Sequence, residues 1–90
     1  MEFEYDPAKS AANKAKHGID FEEAQRLWEH PVCTVTAETR NDDMRALVMG
    51  VIDGKHWTAI TTERGPKTRI ISVRRSRDYE EEAYDEHCNG

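Results

Sequence analysis

Cysteine, glycine and long apolar runs are scarce in this chain of 90 residues, and each scarcity excludes a class of protein. The two cysteines, Cys33 and Cys88, form no CxxC pair, so we expect free thiols and neither a disulfide framework nor a zinc site. The five glycines are scattered and form no glycine-rich phosphate-binding loop. No apolar run approaches the roughly 18 residues of a membrane-spanning helix. We therefore expect one small domain over residues 1–90, without metal, cofactor or membrane span.

A basic and apolar leader is also missing from the first residues, Met1-Glu2-Phe3-Glu4-Tyr5-Asp6. A secretory signal peptide has a positively charged start followed by an apolar stretch, and this segment has neither feature. We therefore expect the protein to act in the cytoplasm.

Positive charge is scarce overall but concentrated towards the C-terminal end. The net charge is −5, yet residues 78–90 contain six Asp and Glu and no Lys or Arg. Residues 1–77 consequently contain 13 Lys and Arg against 12 Asp and Glu, a net charge of +1. Six of these basic residues lie between Arg64 and Arg77. One cationic segment in an acidic chain indicates a local anion-binding surface rather than non-specific binding to nucleic acid.

Two helices are predicted in the first third of the chain. Asp6-Pro7 is typical of a helix start and Gly18 of a helix end. Alanines recur between them at helical spacing, so we expect an alanine face to pack closely on the fold. A capping box begins a second helix at Asp20, and Pro31 ends it. The predicted packing residues are Ala8, Ala11, Ala12 and Ala15 in the first helix, and Phe21, Ala24, Leu27 and Trp28 in the second.

Four strand-like segments follow at residues 32–38, 45–52, 56–64 and 68–75, joined by short turns that include the hairpin signal Asp53-Gly54. A last helix begins at Asp78, with Tyr79 and Ala83 expected to face inwards and the acidic run 80–82 expected to face solvent. With a short strand at residues 3–5, the predicted order is β-α-α-β-β-β-β-α. The prediction is an α+β fold with an antiparallel sheet of four to five strands, two N-terminal helices and one C-terminal helix.

Two interpretations fit the basic strand at residues 68–75. Arginines on an exposed edge strand oppose aggregation, or else they bind an anion. Strict alternation places Ile71 and Val73 on the packed face and Ser72 and Arg74 on the opposite face. If Arg64 of the preceding strand points the same way as Arg74, two guanidinium groups and a hydroxyl form a phosphate-sized donor cluster.

His17 and Glu63 are candidate proton-transfer groups, and each has a structural alternative. His17, at a helix end, either complements the helix dipole or acts as a general acid or base near neutral pH. Glu63, next to Arg64, is either an ion-pair partner or a general base. The residue types alone leave both choices open.

The blocks Lys16-His17-Gly18 and Thr62-Glu63-Arg64 belong to an ordered series of motifs that runs nearly end to end, from Phe3 to about Glu86, and this series resembles the BrnT family of toxins. The most specific blocks are Lys-His-Gly-x-x-Phe-Glu-Glu-Ala, beginning at Lys16, and Thr-Glu-Arg followed by Arg-Ile-Ile-Ser, beginning at Thr62 and Arg69. Supporting matches are Phe-Glu-Tyr-Asp-Pro-x-Lys from Phe3, Arg45 before a strand ending in Val-x-Asp-Gly, and Tyr84 in the final helix.

The resemblance implies a RelE-like fold and a ribonuclease toxin of a type II toxin–antitoxin pair, neutralised by a BrnA-like ribbon-helix-helix antitoxin. It also implies metal-independent cleavage, in which the 2′-hydroxyl attacks the adjacent phosphate and leaves a 2′,3′-cyclic end. Only the antitoxin would contact operator DNA, and a heterotetramer is expected. The candidate catalytic residues are Lys16, His17, Glu63, Arg64 and Arg74. The candidate RNA-binding residues are Arg45, Arg69, Ser72, Arg75 and Arg77.

Two other functions stay open at this stage. One is a non-catalytic binding subunit and corepressor, whose basic sheet face docks an acidic segment of the antitoxin. The other is a small structural domain with a charged sheet. The sequence also leaves open whether an antitoxin would cover the basic face, the first helices or the sheet edge. Cleavage of RNA by the purified protein would separate the ribonuclease from both of these functions.

Overall fold

The computed structural model describes residues 2–38 and 44–87, and its elements follow the predicted order, which confirms an α+β fold. The second predicted helix is shorter than expected, because its last turn and a half tighten into a 3₁₀ segment. The strands are β1 (Glu2–Glu4), β2 (Cys33–Glu38), β3 (Met44–Ile52), β4 (Lys55–Arg64) and β5 (Lys67–Arg75). The helices are α1 (Pro7–His17), α2 (Phe21–Ala24), continued by the 3₁₀ segment Gln25–Glu29, and α3 (Asp78–His87).

The strands form one sheet in the order β1-β5-β4-β3-β2. Strands β2 to β5 make an antiparallel meander, as predicted, and the turn between β3 and β4 has positive φ at both Asp53 and Gly54. Such φ values are what a two-residue hairpin turn requires. β1, however, pairs in parallel with β5. The prediction of a purely antiparallel sheet is therefore wrong at this edge, because β1 is joined to the meander through helices and not through a hairpin turn.

The core lies between the helices and one face of the sheet, which we call the inner face. Val48, Ala59 and Val73 share this face, because they occupy matching positions in neighbouring strands, and none is more than 4% exposed. Phe21 of α2 and Leu27 of the 3₁₀ segment are fully buried against them, as predicted. The apolar side of α2 and its 3₁₀ continuation therefore packs on the inner face and forms the hydrophobic core with it.

α1 docks through polar side chains, so the predicted alanine face is wrong. Its alanines are exposed, and its buried residues are Ser10 and Asn13. Ser10 Oγ accepts a hydrogen bond of 2.9 Å from the backbone N–H of Phe21. Asn13 Nδ2 donates to the carbonyl oxygens of Ile19 and Val73 at 2.8 and 2.9 Å, and its Oδ1 accepts from the Val73 N–H at 3.3 Å. Satisfying buried backbone groups outweighs the small apolar area of alanine methyls.

α3 packs on the opposite face of the sheet, which we call the outer face. Its buried residues include Tyr84 and Glu80, which are 9% and 2% exposed. Tyr79, predicted to face inwards, is 59% exposed, and the predicted solvated acidic run includes one buried member. Glu80 can be buried because it is hydrogen-bonded to Arg74, and a paired charge avoids the full penalty of desolvation.

α3 covers only part of the outer face. Arg74 lies opposite Thr58 in the strand register, and both contact Glu80 of α3, so this end of the face is the covered half. Arg69 lies opposite Thr62 nearer the turn between β4 and β5, where the outer face borders an open cleft. We call this end the open half.

The structure bears on two expectations from the sequence, that the cysteines are free thiols and that no helix spans a membrane. Cys33 takes part in a disulfide bond, so the prediction of free thiols is wrong there, because spacing in sequence does not show which sulfurs meet in a fold. Cys88 lies outside the described residues. Over residues 2–38 and 44–87, no helix has the length and apolar character needed to cross a membrane.

Candidate functional site

A β-bulge in β5 shapes the sheet beside the open half. Consecutive residues of β4, Ile60 and Thr61, pair with Ser72 and Ile70. Ile71, between these two residues of β5, therefore has no partner in β4. Because the bulge interrupts alternation, Ile70 and Val73 are both buried while Ile71 is half-buried. The prediction that Ile71 lies on the packed face is therefore wrong. Bulges re-aim side chains and are common beside active sites, and Ile71 here borders a cleft.

Side chains from β3, β4, β5 and α1 line an open cleft of about 470 Å³, which we call the arginine cleft. Strand register explains how they meet, since Arg69 lies opposite Thr62 and the next strand contributes Arg45 at the same end of the sheet. Among the residues that the structure describes, the lining is strongly cationic and has one acidic residue. The lining residues are Lys9, Arg45, Thr62, Glu63, Arg64, Arg69 and Ile71.

Two arginines of this cleft have no neutralising partner among the residues that the structure describes. Over the described ranges 2–38 and 44–87, neither Arg45 nor Arg64 makes a side-chain hydrogen bond or ion pair. Arg69 differs, because its Nη1 lies 2.8 Å from Glu4 Oε2 in a half-buried pair. Glu63 Oε1 accepts a long hydrogen bond of 3.4 Å from the hydroxyl of Thr68. Guanidinium groups with free donors can bind a phosphate in bidentate geometry, so the cleft suits a phosphorylated ligand.

A second cleft of about 220 Å³ adjoins the first along the exposed side of α1, and we call it the α1 cleft. Lys16 and His17 of the last turn of α1 lie here with Ser72 of β5. Lys9 and Ile71 line both clefts, so the two adjoin without a break. The lining residues are Lys9, Ala12, Asn13, Lys16, His17, Phe21, Ile71 and Ser72.

Arg74 is held in the covered half and does not line either cleft. Its Nη1 and Nη2 donate to the two carboxylate oxygens of Glu80 at 2.6 and 2.9 Å. It lies opposite Thr58, six positions from Arg64 along β4, so the two arginines are anchored roughly 20 Å apart. The structure therefore does not assemble the predicted donor cluster of Arg64, Ser72 and Arg74.

The environment of Glu80 keeps this pair ionised. Burial raises the pKa of Glu80, but hydrogen bonds from Arg74 and from the backbone N–H of Arg77 outweigh burial and hold the pKa below its ordinary value. The hydrogen bond to Glu80 likewise raises the pKa of Arg74. The Arg74 guanidinium is thus committed to a carboxylate within the protein.

Arg75 and Arg77 also make contacts of their own, and neither lines the arginine cleft or the α1 cleft. The Arg75 guanidinium lies 5.5 Å from the centre of the Trp57 ring, and its Nε donates to the carbonyl oxygen of His56 at 3.2 Å. Arg77 Nη1 contacts the hydroxyl of Tyr79 at 3.3 Å. The structure therefore divides the predicted RNA-binding residues, with Arg45 and Arg69 in the arginine cleft, Ser72 in the α1 cleft, and the other two elsewhere.

Sequence reasoning did not select Lys9 or Thr62, although both line the arginine cleft. For Lys9 a signal was available, because residues 9, 12 and 16 recur at the i, i+3, i+7 spacing that places them on one side of a helix. That stripe joins Lys9 to Lys16 through Ala12, and all three line the α1 cleft. For Thr62 only the strand register reveals its position.

Comparison with known proteins gave one family match. A family model described as the ribonuclease toxin, BrnT, of a type II toxin–antitoxin system matches residues 5–80. This span is nearly the whole chain and includes every residue that lines the two clefts. No curated protein and no solved structure matches the chain significantly.

Proposed function

Because the chain belongs to the BrnT family of ribonuclease toxins from type II toxin–antitoxin systems, we propose that it is an endoribonuclease whose reaction centre is the arginine cleft. One observation carries the location: Arg45 and Arg64, both without a partner among the described residues, line one open cleft together with Glu63. Donors aimed at a developing negative charge are commonly the largest contribution to catalysis. The pentavalent phosphorane formed during RNA cleavage carries such a developing negative charge.

The proposed reaction needs no metal or cofactor. Glu63 accepts the proton of the ribose 2′-hydroxyl as O2′ bonds to the adjacent phosphorus. Arg45 and Arg64 stabilise the phosphorane, and the bond from phosphorus to O5′ then breaks. Lys16 or His17, the proton donors of the adjoining α1 cleft, supplies a proton to the leaving oxygen. The products are a 2′,3′-cyclic phosphate and a 5′-hydroxyl end.

The experiment is cleavage of RNA by the purified protein and by single variants. Removing one donor of this kind costs about 100- to 1,000-fold in rate, so we expect Arg64→Ala and Arg45→Ala to fall by that order. Glu63→Gln, which keeps the shape but cannot accept the proton, should lose about 100-fold or more. A chelator should leave the wild-type rate unchanged.

Lys55→Ala is the matched control, because Lys55 lies in β4 next to the β3–β4 turn, at the opposite end of that strand from Arg64. Its cleavage rate should equal that of the wild type. Wild-type protein that leaves RNA intact would contradict the enzymatic function. Full activity of both arginine variants would contradict the location of the reaction centre.

Family membership implies an antitoxin partner. We propose that this partner is a BrnA-like ribbon-helix-helix protein, that the two form a heterotetramer, and that the complex reaches operator DNA only through the antitoxin. The architecture of the toxin would be RelE-like and its place of action the cytoplasm. Co-expression with the neighbouring gene, followed by measurement of the mass of the complex, tests the partner and the stoichiometry.

A non-catalytic subunit that docks the antitoxin is the second candidate. It is favoured by the ion pairs of Arg69 with Glu4 and of Arg74 with Glu80, which already neutralise two of the predicted RNA-binding and catalytic cations. Its signature would be tight binding of the antitoxin together with intact RNA at every protein concentration tested. Cleavage that depends on Arg64 would rule it out.

A further inference from the structure

We propose that the arginine cleft and the α1 cleft bind one continuous single-stranded RNA, and that Lys9 is the phosphate-binding residue at their junction. The inference rests on the proposed ribonuclease function and adds to it the path of the substrate. A cationic groove that follows the phosphate backbone is one part of the arrangement by which proteins hold single strands. At the junction of the two clefts, the bulge also places the apolar side chain of Ile71.

The lysine stripe of α1 provides the charge for this path. Lys9 and Lys16 make no side-chain hydrogen bond or ion pair with the part of the chain that the structure describes. Lys14, in contrast, points elsewhere and is held by Glu23 at 2.6 Å. Within the described part of the chain, the lysine that faces away from the groove is therefore neutralised, and the two that line the groove are not.

The polar docking of α1 fixes the direction in which these lysines project. Ser10 binds the N–H of Phe21, and Asn13 binds the backbone of Val73. Both docked residues lie on the buried side of α1, while residues 9, 12 and 16 form the stripe beside them. Because the docking consists of directional hydrogen bonds, the rotation of α1 about its axis is set, and Lys9 stays at the junction.

A competing path leaves the arginine cleft in the other direction. A third cleft, of about 480 Å³, lies towards β2 and shares Arg45 and Glu63 with the arginine cleft. Counting only the described part of the chain, its charged lining is that one arginine and that one glutamate, whereas the α1 cleft has two lysines and no carboxylate. Within residues 2–38 and 44–87, the β2 side therefore adds no charged side chain to those of the arginine cleft, whereas the α1 side adds the cation of Lys16, which attracts a polyanion. The charges therefore favour the α1 path.

Binding of an uncleavable ligand tests the path separately from the chemistry. The probe is a fluorescent 2′-O-methyl RNA of about ten nucleotides, a length within the range of known single-strand sites, compared with a trimer of the same chemistry. Lys9→Ala should weaken decamer binding about tenfold and reduce the dependence of log K on log salt by about 0.7, as expected for one lost phosphate contact. Lys16→Ala should weaken the decamer and leave the trimer unchanged.

Two variants serve as controls. Lys55→Ala removes a lysine remote from both clefts and should change neither affinity nor salt dependence. Thr36→Glu adds a negative charge to the cleft towards β2 and should leave decamer affinity unchanged. Weakening by Thr36→Glu with no effect of Lys9→Ala would overturn the proposed path in favour of the β2 side.

The outcomes also separate this inference from the proposed function. If Arg64→Ala abolishes cleavage while Lys9→Ala binds the decamer as the wild type does, the junction is wrong and the ribonuclease function stands. If Arg45→Ala and Arg64→Ala both cleave normally, the proposed reaction centre is wrong. The decamer affinity of Lys9→Ala still decides in that case whether the groove exists.

Discussion

Both halves of the outer face contain arginine side chains, but those of the covered half and those of the open half differ in whether a carboxylate of the same chain binds them. In the covered half, Arg74 donates two hydrogen bonds to Glu80, and the carboxylate is 2% exposed. In the open half, Arg45 and Arg64 line a cleft and have no partner among residues 2–38 and 44–87. One half uses arginine to bind a helix of the same chain, and the other leaves arginine available to a ligand.

This difference shows that the number of arginines in a segment does not measure its capacity to bind an anion. A guanidinium group already held by a buried carboxylate would have to break that pair before it could contact a phosphate, and breaking a buried pair is costly. A group without a partner has no such cost. The availability of a cation therefore depends on carboxylates elsewhere in the fold, Glu80 of α3 for Arg74 and Glu4 of β1 for Arg69, which the composition of the basic segment does not reveal.

The largest expected effect lies in the covered half. Glu80→Ala leaves the guanidinium of Arg74, only 19% exposed, without its partner, so we expect the free energy of unfolding to fall by about 3 kcal/mol. Urea denaturation at neutral pH measures this change. Glu82→Ala, an exposed residue of the same helix, should shift the free energy by less than about 0.5 kcal/mol. Equal effects of the two substitutions would show that α3 is not held by the Arg74 pair.

The second effect is a dependence of stability on pH that arises from the same carboxylate. The pKa of Glu80 is lower in the folded chain than its ordinary value of 4.5, so below that value the unfolded chain binds more protons. The stabilisation from Glu80 is complete above about pH 4.5 and is lost as the pH falls through the folded pKa. Glu80→Gln should therefore lose less stability on acidification than the wild type does.

The measurement is the urea midpoint of both proteins at neutral pH and at several acidic values. Glu23 and Asp53 also have lowered pKa values, because of hydrogen bonds from Lys14 and Arg26, but they are present in both proteins. Their effects cancel in the difference between wild type and variant. Parallel curves for the two proteins would contradict the proposed contribution of Glu80.

A smaller effect is expected at the boundary of the open half. Arg69 and Glu4 are each 32% exposed, and a pair of that exposure contributes about 1 kcal/mol or less, so Glu4→Gln should cost little stability. The same substitution frees Arg69 for a phosphate. We therefore expect tighter binding of the uncleavable decamer, with a steeper salt dependence. Unchanged binding would place Arg69 outside the path of the RNA.

The smallest effect on stability should come from the open half itself. Arg64 is exposed and its side chain makes no hydrogen bond or ion pair with residues 2–38 or 44–87, so Arg64→Ala should change the free energy of unfolding by less than about 0.5 kcal/mol. The same variant should lose most of its cleavage activity. A marked loss of stability would mean that Arg64 serves the fold, and the contrast between the halves would then disappear.

Local signals in the sequence were sufficient to predict much of the fold. The caps at Asp6 and Asp20, the left-handed Gly18 and the turn at Asp53-Gly54 are all observed, because each depends on a few neighbouring residues. The apolar side of α2 and its 3₁₀ continuation is likewise observed. Contacts between distant segments were predicted less well. The parallel pairing of β1 with β5 joins residues more than 60 positions apart, and no local pattern encodes its direction.

The errors at the site have a common physical origin. Alternation within β5 predicted the wrong face for Ile71, because a bulge is a property of two paired strands and not of one. The assignment of Arg74 to the phosphate cluster did not include Glu80, because an acidic helix start is usually solvated. Family resemblance identified the cleft residues Arg45, Glu63, Arg64 and Arg69, whereas geometry was required to see which cations stay unpaired.

The side chain of Asn13 occupies the place of a missing strand. β1 pairs with β5 only over Lys67–Arg69, and further along that edge Asn13 engages both the N–H and the carbonyl of Val73, as a neighbouring peptide would. The Val73 amide proton therefore points away from β4 but is shielded by a helix. Its hydrogen–deuterium exchange rate reports the undocking of α1, and not the opening of the meander, so this single amide can register whether RNA bound along α1 tightens the helix against the sheet.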